Sequence, residues 1–291
     1  MRSDVVDLRD FYLTPIGRTA ARLVARRVRR FWPDLTGMRL AGYGYANPVL
    51  DLLDDGAGAA GGPGRAERVL SLMPAGQGVL RWPATGPNRA TLTEEVELPL
   101  ADESLDRLLL VHALETSEAQ RRLMRECWRV LAPEGRLLLV LPNRRGLWAR
   151  TDATPFGNGR PFSPLQLSHW LRDTMFTPLD HARALYVPPW SFGGLLRSAE
   201  AWERIGERWF PGFGGVLMME ATKRLYAATP EFVTPRLALA KRRPVAGPQR
   251  RDVAGPQRRD VAGPQRRDVA GPQRRERAQE GGCEGKEGRP D

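Results

Sequence analysis

The chain has 291 residues, 41% hydrophobic and 27% charged, enough apolar material for one large core or two small ones. Its net charge of +11 is unevenly spread: from Lys241 onward it carries 14 Lys/Arg against 8 Asp/Glu, and the first 240 residues carry 31 against 26. Six of those arginines, with no acid, fall between Thr14 and Trp32, so the high pI is no sign of a nucleic-acid-binding surface across the whole domain.

Arginine outnumbers lysine so heavily that Lys223, Lys241 and Lys286 are the only lysines, a bias better explained by a GC-rich genome than by guanidinium chemistry. Two cysteines, Cys127 and Cys283, are too few and too distant for a disulfide framework or a zinc site, and no metal is expected. The opening "MRSDVVDLRDF" has acids where a signal peptide needs an apolar run. The longest apolar runs are strand-sized, so no membrane span is expected. The expectation is a reduced, cytoplasmic protein.

In chain order, Pro15–Trp32 reads as a helix. Leu23, Val24, Val28 and Phe31 form an apolar stripe, arginines fill the other face, and Thr14-Pro15 makes an N-cap and N1 pair. The arginine face is read as solvated, with an anionic substrate or membrane surface as the alternative. Strands follow at Met38–Tyr43, Arg68–Met73, either Val79–Trp82 or Ala90–Thr93, Leu105–His112, Arg136–Leu141, Ala182–Val187 and Val216–Tyr226. Helices fall at Pro48–Leu53, Glu118–Leu131 and Ser163–Asp173. Unbroken Leu/Val runs mark buried parallel strands, so the alternation predicts a doubly wound, mostly parallel α/β sheet with ligands beyond the strands' carboxyl ends.

The chain ends in "VAGPQRRD" repeated every eight residues from Val245, with the last unit ending in Glu. Gly-Pro breakers and so little apolar area cannot offset ordering entropy, so the segment from Pro230 is expected to be disordered. Duplication of a short DNA segment explains it; a weak electrostatic tether is the functional alternative. Three regions follow: an N-terminal basic helical extension (1–36), the α/β domain (37–229) and the repeat tail (230–291).

Three stretches within the domain resemble class I S-adenosylmethionine-dependent methyltransferases with a seven-stranded Rossmann-like sheet. "VELPLADESLDRLLLVHALE" is similar to the family's entry into the fourth strand. "MRECWRVLAPEGRLLLVLPNR" resembles its Arg-Val-Leu helix end, Pro-Gly turn and fifth strand, with Pro133-Glu134-Gly135 read as stopping the helix. "RPFSPLQLSHWLRDTMF" resembles the next helix, and with a last strand at "GVLMMEATKR" the similarity covers Gly37 to Tyr226.

The resemblance implies S-adenosylmethionine as cofactor and assigns it residues. In "LAGYGYANPVLDLL" the family's glycine turn maps to Gly42, Tyr43, Gly44 and Tyr45, with Leu40 in place of the motif's acid and Ala46 in place of its third glycine. At the end of the second strand the ribose-binding acid maps to Met73, whose thioether is no bidentate acceptor. The loss costs about tenfold to a hundredfold in affinity, weakening binding without abolishing it. Glu94, five residues before Pro99, maps to the acid facing the adenine amine, and His112 closes the fourth strand at the cofactor–substrate rim. Asp51, Asp54 and Asp55 are the acids within reach of the ribose from the following helix.

Beyond the fifth strand, Pro142–Ser163 is expected to cover the site, with Asn143, Arg144 and Arg145 on the substrate side and Arg150 and Arg160 beside them. The reaction implied is in-line methyl transfer from a sulfonium, where positioning does most of the catalysis. No Asn/Asp-Pro-Pro-aromatic stretch and no Pro-Cys pair are present, which sets aside amine- and carbon-methylating DNA enzymes. An enzyme acting on a small-molecule or anionic acceptor is favoured. The degenerate cofactor motifs point instead to a non-catalytic relative with a regulatory or protein-binding role. A nucleic-acid substrate guided by the basic segments is the least favoured reading.

Overall fold

A computed structural model describes residues 4–54, 65–151, 154–190 and 193–224. The expected repeat tail, Asp55 and the end of the last expected strand at Tyr226 lie outside the described residues. Two helices open the chain, α1 (Val5–Leu13) and α2 (Pro15–Phe31). They are followed by β1 (Arg39–Gly44), α3 (Asn47–Asp54), β2 (Arg68–Pro74), β3 (Ala90–Thr93) and β4 (Leu105–Val111). The remainder comprises α4 (Gln120–Val130), β5 (Leu131–Pro142), α5 (Pro164–Asp173), β6 (Phe176–Ala184), α6 (Gly193–Arg197), α7 (Ala199–Trp209) and β7 (Val216–Lys223).

The seven strands lie in the order β3-β2-β1-β4-β5-β7-β6. Strands β1 to β5 pair in parallel, and β7 is antiparallel to both β5 and β6. Alternation along the central strands sorts side chains into two layers. Leu109 and Val111 of β4 and Leu138 and Val140 of β5 pack with Ile16, Val24 and Val28 of α2 and Leu50 of α3. Their neighbours Leu108, Leu110, Leu137 and Leu139 pack with Leu123 and Cys127 of α4 and Leu167 and Leu171 of α5. Each leucine in a parallel run thereby gains a helix-covered face, as an unbroken apolar sequence requires.

Caps set the helix ends: Asp4 accepts from Val6 N–H, Thr14 from Gly17 N–H and Ser163 from Gln166 N–H. Helices α6 and α7 were not anticipated, and three further elements depart from the sequence expectation. Helix α4 stops at Val130, ahead of Pro133-Glu134-Gly135, which forms a bulge inside the β4–β5 ladder between Leu105↔Leu131 and Arg107↔Arg136. The sixth strand lies at Phe176–Ala184, earlier than expected, because "FTPLDHARA" is an edge strand whose polar residues and Pro178 hide its register. Helix α1 was not anticipated, although Val5, Leu8 and Tyr12 fall at helical spacing and all three are buried.

Candidate functional site

Strand order reverses between β1 and β4, and in open α/β sheets the ligand crevice opens beyond the carboxyl ends at that reversal. The glycine turn ends β1 there. Gly44 adopts φ +86°, and a Cβ on it would overlap the Val111 carbonyl oxygen of β4. Tyr45 N–H donates to that same oxygen at 2.8 Å, so the turn closes directly onto the neighbouring strand. A Cβ on Gly42 would meet Ala46 and Leu50, so this glycine lets α3 approach the sheet.

The space beyond these strand ends is filled by α1. Val5, Leu8 and Tyr12 form one buried cluster with Ala21, Tyr45 and Met73. Val5 N–H donates to the Gln77 carbonyl at 2.8 Å, and Gln77 Nε2 donates to the His112 carbonyl at 2.9 Å. The Tyr12 hydroxyl lies 2.9 Å from His112 Nε2, and its ring stands 5.7 Å from that of Tyr45. Burial pushes the Tyr12 phenol well above its ordinary range and raises Tyr45 to about 12, so both remain neutral donors at physiological pH.

His112 sits in the left-handed region at φ +52° with its ring buried. Its Nδ1 faces Glu115 Oε1 at 3.6 Å, and Glu115 Oε2 accepts from Ala113 N–H at 3.1 Å. Glu115 is itself buried, and no hydrogen bond reaches its Oε1. A chain Glu115–His112–Tyr12 therefore runs through the core of the crevice. Sequence reading missed Glu115 and Tyr12; a carboxylate three residues after a strand-end histidine was the available signal for the first.

The segment after β5 covers this chain. Phe156 packs on the His112 ring at 4.5 Å and on Phe11 at 6.4 Å, and Arg160 N–H donates to the Glu115 carbonyl at 3.0 Å. Gly42, Tyr43, Gly44, Tyr45, Met73 and His112 thus share one end of the sheet. Glu94 directly follows β3 at the same carboxyl edge, exposed in a turn bridged to Glu97, while adjacent Glu95 accepts from Ser117 Oγ at 2.7 Å. Asn143 is buried and donates to the carbonyls of Gly212 at 3.0 Å and Gly214 at 2.6 Å. Arg144 and Arg145 are exposed, the first near Gln166 and the second with its guanidinium 5.7 Å from the Phe213 ring. Asp51 and Asp54 are engaged elsewhere, accepting from Trp82 Nε1 and from Arg89 at 2.7 Å each.

These features define a Rossmann-like doubly wound sheet with its crevice at the β1–β4 reversal. A family model described as a methyltransferase domain matches residues 81–139, about a fifth of the chain. The Escherichia coli K12 protein YafS is 31% identical over 144 residues, which is 47% of this chain and 55% of that protein. The chain therefore spans about half the length of this curated relative. Among solved structures, an S-adenosylmethionine-dependent methyltransferase from Thermotoga maritima superposes with a TM-score of 0.51 at 17% identity, covering 76% of this chain and 96% of that one. Another, from Archaeoglobus fulgidus, gives 0.47 at 17% identity, covering 70% and 94%.

With α1 seated, the crevice does not fit the family's cofactor. Tyr12, Tyr45 and Met73 occupy the space beyond the strand ends, and Met73 offers neither a charge nor two acceptor lone-pair sites to a ribose.

Proposed function

We propose that this chain is an S-adenosylmethionine-dependent methyltransferase for a small or anionic acceptor, and that α1 must leave the β1–β4 crevice before cofactor binds. The observation that carries this reading is the convergence of the glycine turn, His112 and the β5 cover on one end of a sheet with the family's strand order. When bound, the cofactor supplies the methyl group as a sulfonium. The chain contributes a water-excluding cover through Phe156 and a proton acceptor at His112 Nε2, with Glu115 facing Nδ1. A thiol or hydroxyl acceptor would use that acceptor; a carboxylate would not.

Calorimetric titration of the full chain with S-adenosylhomocysteine tests the gating. Weak binding by the native chain is expected, and the competent fraction rises when α1 is loosened. Leu8→Asp should tighten binding by about tenfold, and Tyr12→Phe, which removes one hydrogen bond, by less. A second reading, a non-catalytic member of the family, is favoured by the burial of Met73 in an apolar cluster with α1. Absence of heat with all three proteins at millimolar ligand would establish that reading instead.

A further inference from the structure

Helix α7 is turned inside out. Its buried residues are Ala199, Glu203 and Gly206, whereas Trp202, Ile205 and Trp209 point outward, 39%, 50% and 69% exposed. The inversion is built in, because a Cβ at Gly206 would overlap the Tyr186 ring, so only glycine lets the helix lie this close. The aromatic surface continues past the helix end, where Phe210 and Phe213 are 58% and 50% exposed. This loop is ordered. Pro211 O accepts from Arg183 at 3.0 Å and from the Tyr186 hydroxyl at 3.2 Å, and Asn143 holds the carbonyls of Gly212 and Gly214.

Hydrogen bonds thus fix a backbone that holds these rings half exposed, an apolar patch of the kind that marks an interaction surface. Arginines flank the rings, while the exposed acids of α7, Glu200 and Glu207, pair with Arg26 and Arg27 of α2. Arg145 approaches the Phe213 ring, and Arg197, Arg204 and Arg208 are exposed on α6 and α7. Arg18 and Arg22 on α2 line, with Arg197 and Arg204, an open cavity of about 1060 Å³ beside α7. Of the arginines lining that cavity, only Arg26 has an acid partner among the described residues, Glu200 at 3.3 Å.

We propose that the Trp202–Phe213 segment is a docking surface for an anionic phospholipid bilayer. Trp202, Ile205, Trp209, Phe210 and Phe213 enter the headgroup region, and the surrounding arginines face lipid phosphates. Exposed tryptophans on a helix flanked by arginines match the chemistry of the membrane interface. The docking face lies at the functional end of the sheet, since Asn143, which holds its loop, follows β5 at the same carboxyl edge as Gly44 and His112. Docking would therefore bring the crevice's edge to the lipid surface, and this inference stands whether or not the chain transfers methyl groups.

The test is flotation of the full chain with vesicles of phosphatidylcholine alone and of phosphatidylcholine with one-third phosphatidylglycerol. The native chain should float with the anionic vesicles and not with the neutral ones. A Trp209→Ala, Phe210→Ala, Phe213→Ala triple variant keeps every charge, and should lose at least about tenfold in binding with an unchanged unfolding midpoint. Three results overturn the proposal: no flotation of the native chain with anionic vesicles; equal flotation of the triple variant, which would assign binding to arginine charge alone; or self-association abolished by the triple variant in a chain that ignores vesicles.

Discussion

At the residue scale, Met73 and Tyr12 explain each other. A thioether at the end of β2 is a loss when set against a ribose, but it suits a cluster with Val5, Leu8 and Tyr45. An aspartate in its place would be a buried carboxylate beneath α1, in a position that accepts only a weak bond from Leu80 N–H at 3.4 Å. Met73→Asp should therefore lower the ligand-free unfolding free energy by about 3 kcal/mol, through an unpaired buried charge or the release of α1. The same change restores the family's acceptor, so affinity for S-adenosylhomocysteine should rise as stability falls; calorimetry and thermal melts on one preparation read both. Unchanged stability would show that α1 does not cover the residue. Gly44→Val is a poor probe by comparison, because its side chain would strike β4 and disturb the sheet itself. The sequence named the residues at the strand ends through the family's motifs. It did not reveal Tyr12, because a contact across 100 residues leaves no local pattern, whereas Glu115, three residues after His112, left a signal that was overlooked.

At the element scale, α7 shows why pattern reading failed in the last third of the chain. Its large side chains face outward and its small ones inward, the reverse of what an amphipathic stripe leads one to expect. Strands β1, β2, β4 and β5 were legible because unbroken Leu/Val runs admit few other readings, whereas edge strand β6 was misplaced for want of such a run. Helix α7 also carries a pH response. Burial raises the Glu203 carboxyl to about 7, against the pull of the Tyr186 N–H at 2.6 Å and of Arg27. A raised carboxyl means the folded state holds its proton more tightly than the unfolded chain. Its contribution is complete below the ordinary value of 4.5 and is lost as pH climbs through about 7. Asp106 beside Arg39, Glu126 beside Arg129 and Glu207 beside Arg27 are held low, so their stabilisation is lost on the acid side. The unfolding midpoint should peak at mildly acidic pH, and Glu203→Gln should flatten the decline towards pH 8 while leaving the acid limb in place. A parallel alkaline decline in the variant would remove Glu203 as the cause.

At the scale of the whole molecule, the sheet order was within reach of the sequence and the state of the crevice was not. Alternating β and α signals and the family resemblance specified a doubly wound sheet, as found. Where α1 lies depends on tertiary contacts with β1, β2 and β4, which no window of sequence contains. Among the described residues no helix is long and apolar enough to cross a membrane. Any lipid contact through α7 is therefore one of surface, not span. The net positive charge of the described part is concentrated in α2, so ionic strength should weaken vesicle binding far more than it shifts the unfolding midpoint. A melt that moves as strongly with salt as the flotation does would show that those arginines serve the fold.

The bond between the Tyr12 hydroxyl and His112 has a kinetic meaning. The helix carrying Tyr12 is joined through Thr14 to α2, which packs on the sheet, so it competes for the crevice as an internal ligand whose local concentration is fixed by the chain and never diluted. A ligand entering from solution contends with that constant rival at every protein concentration. Its apparent affinity then becomes a property of the N-terminal tether, adjustable by changes in α1 that touch none of the residues lining the sheet.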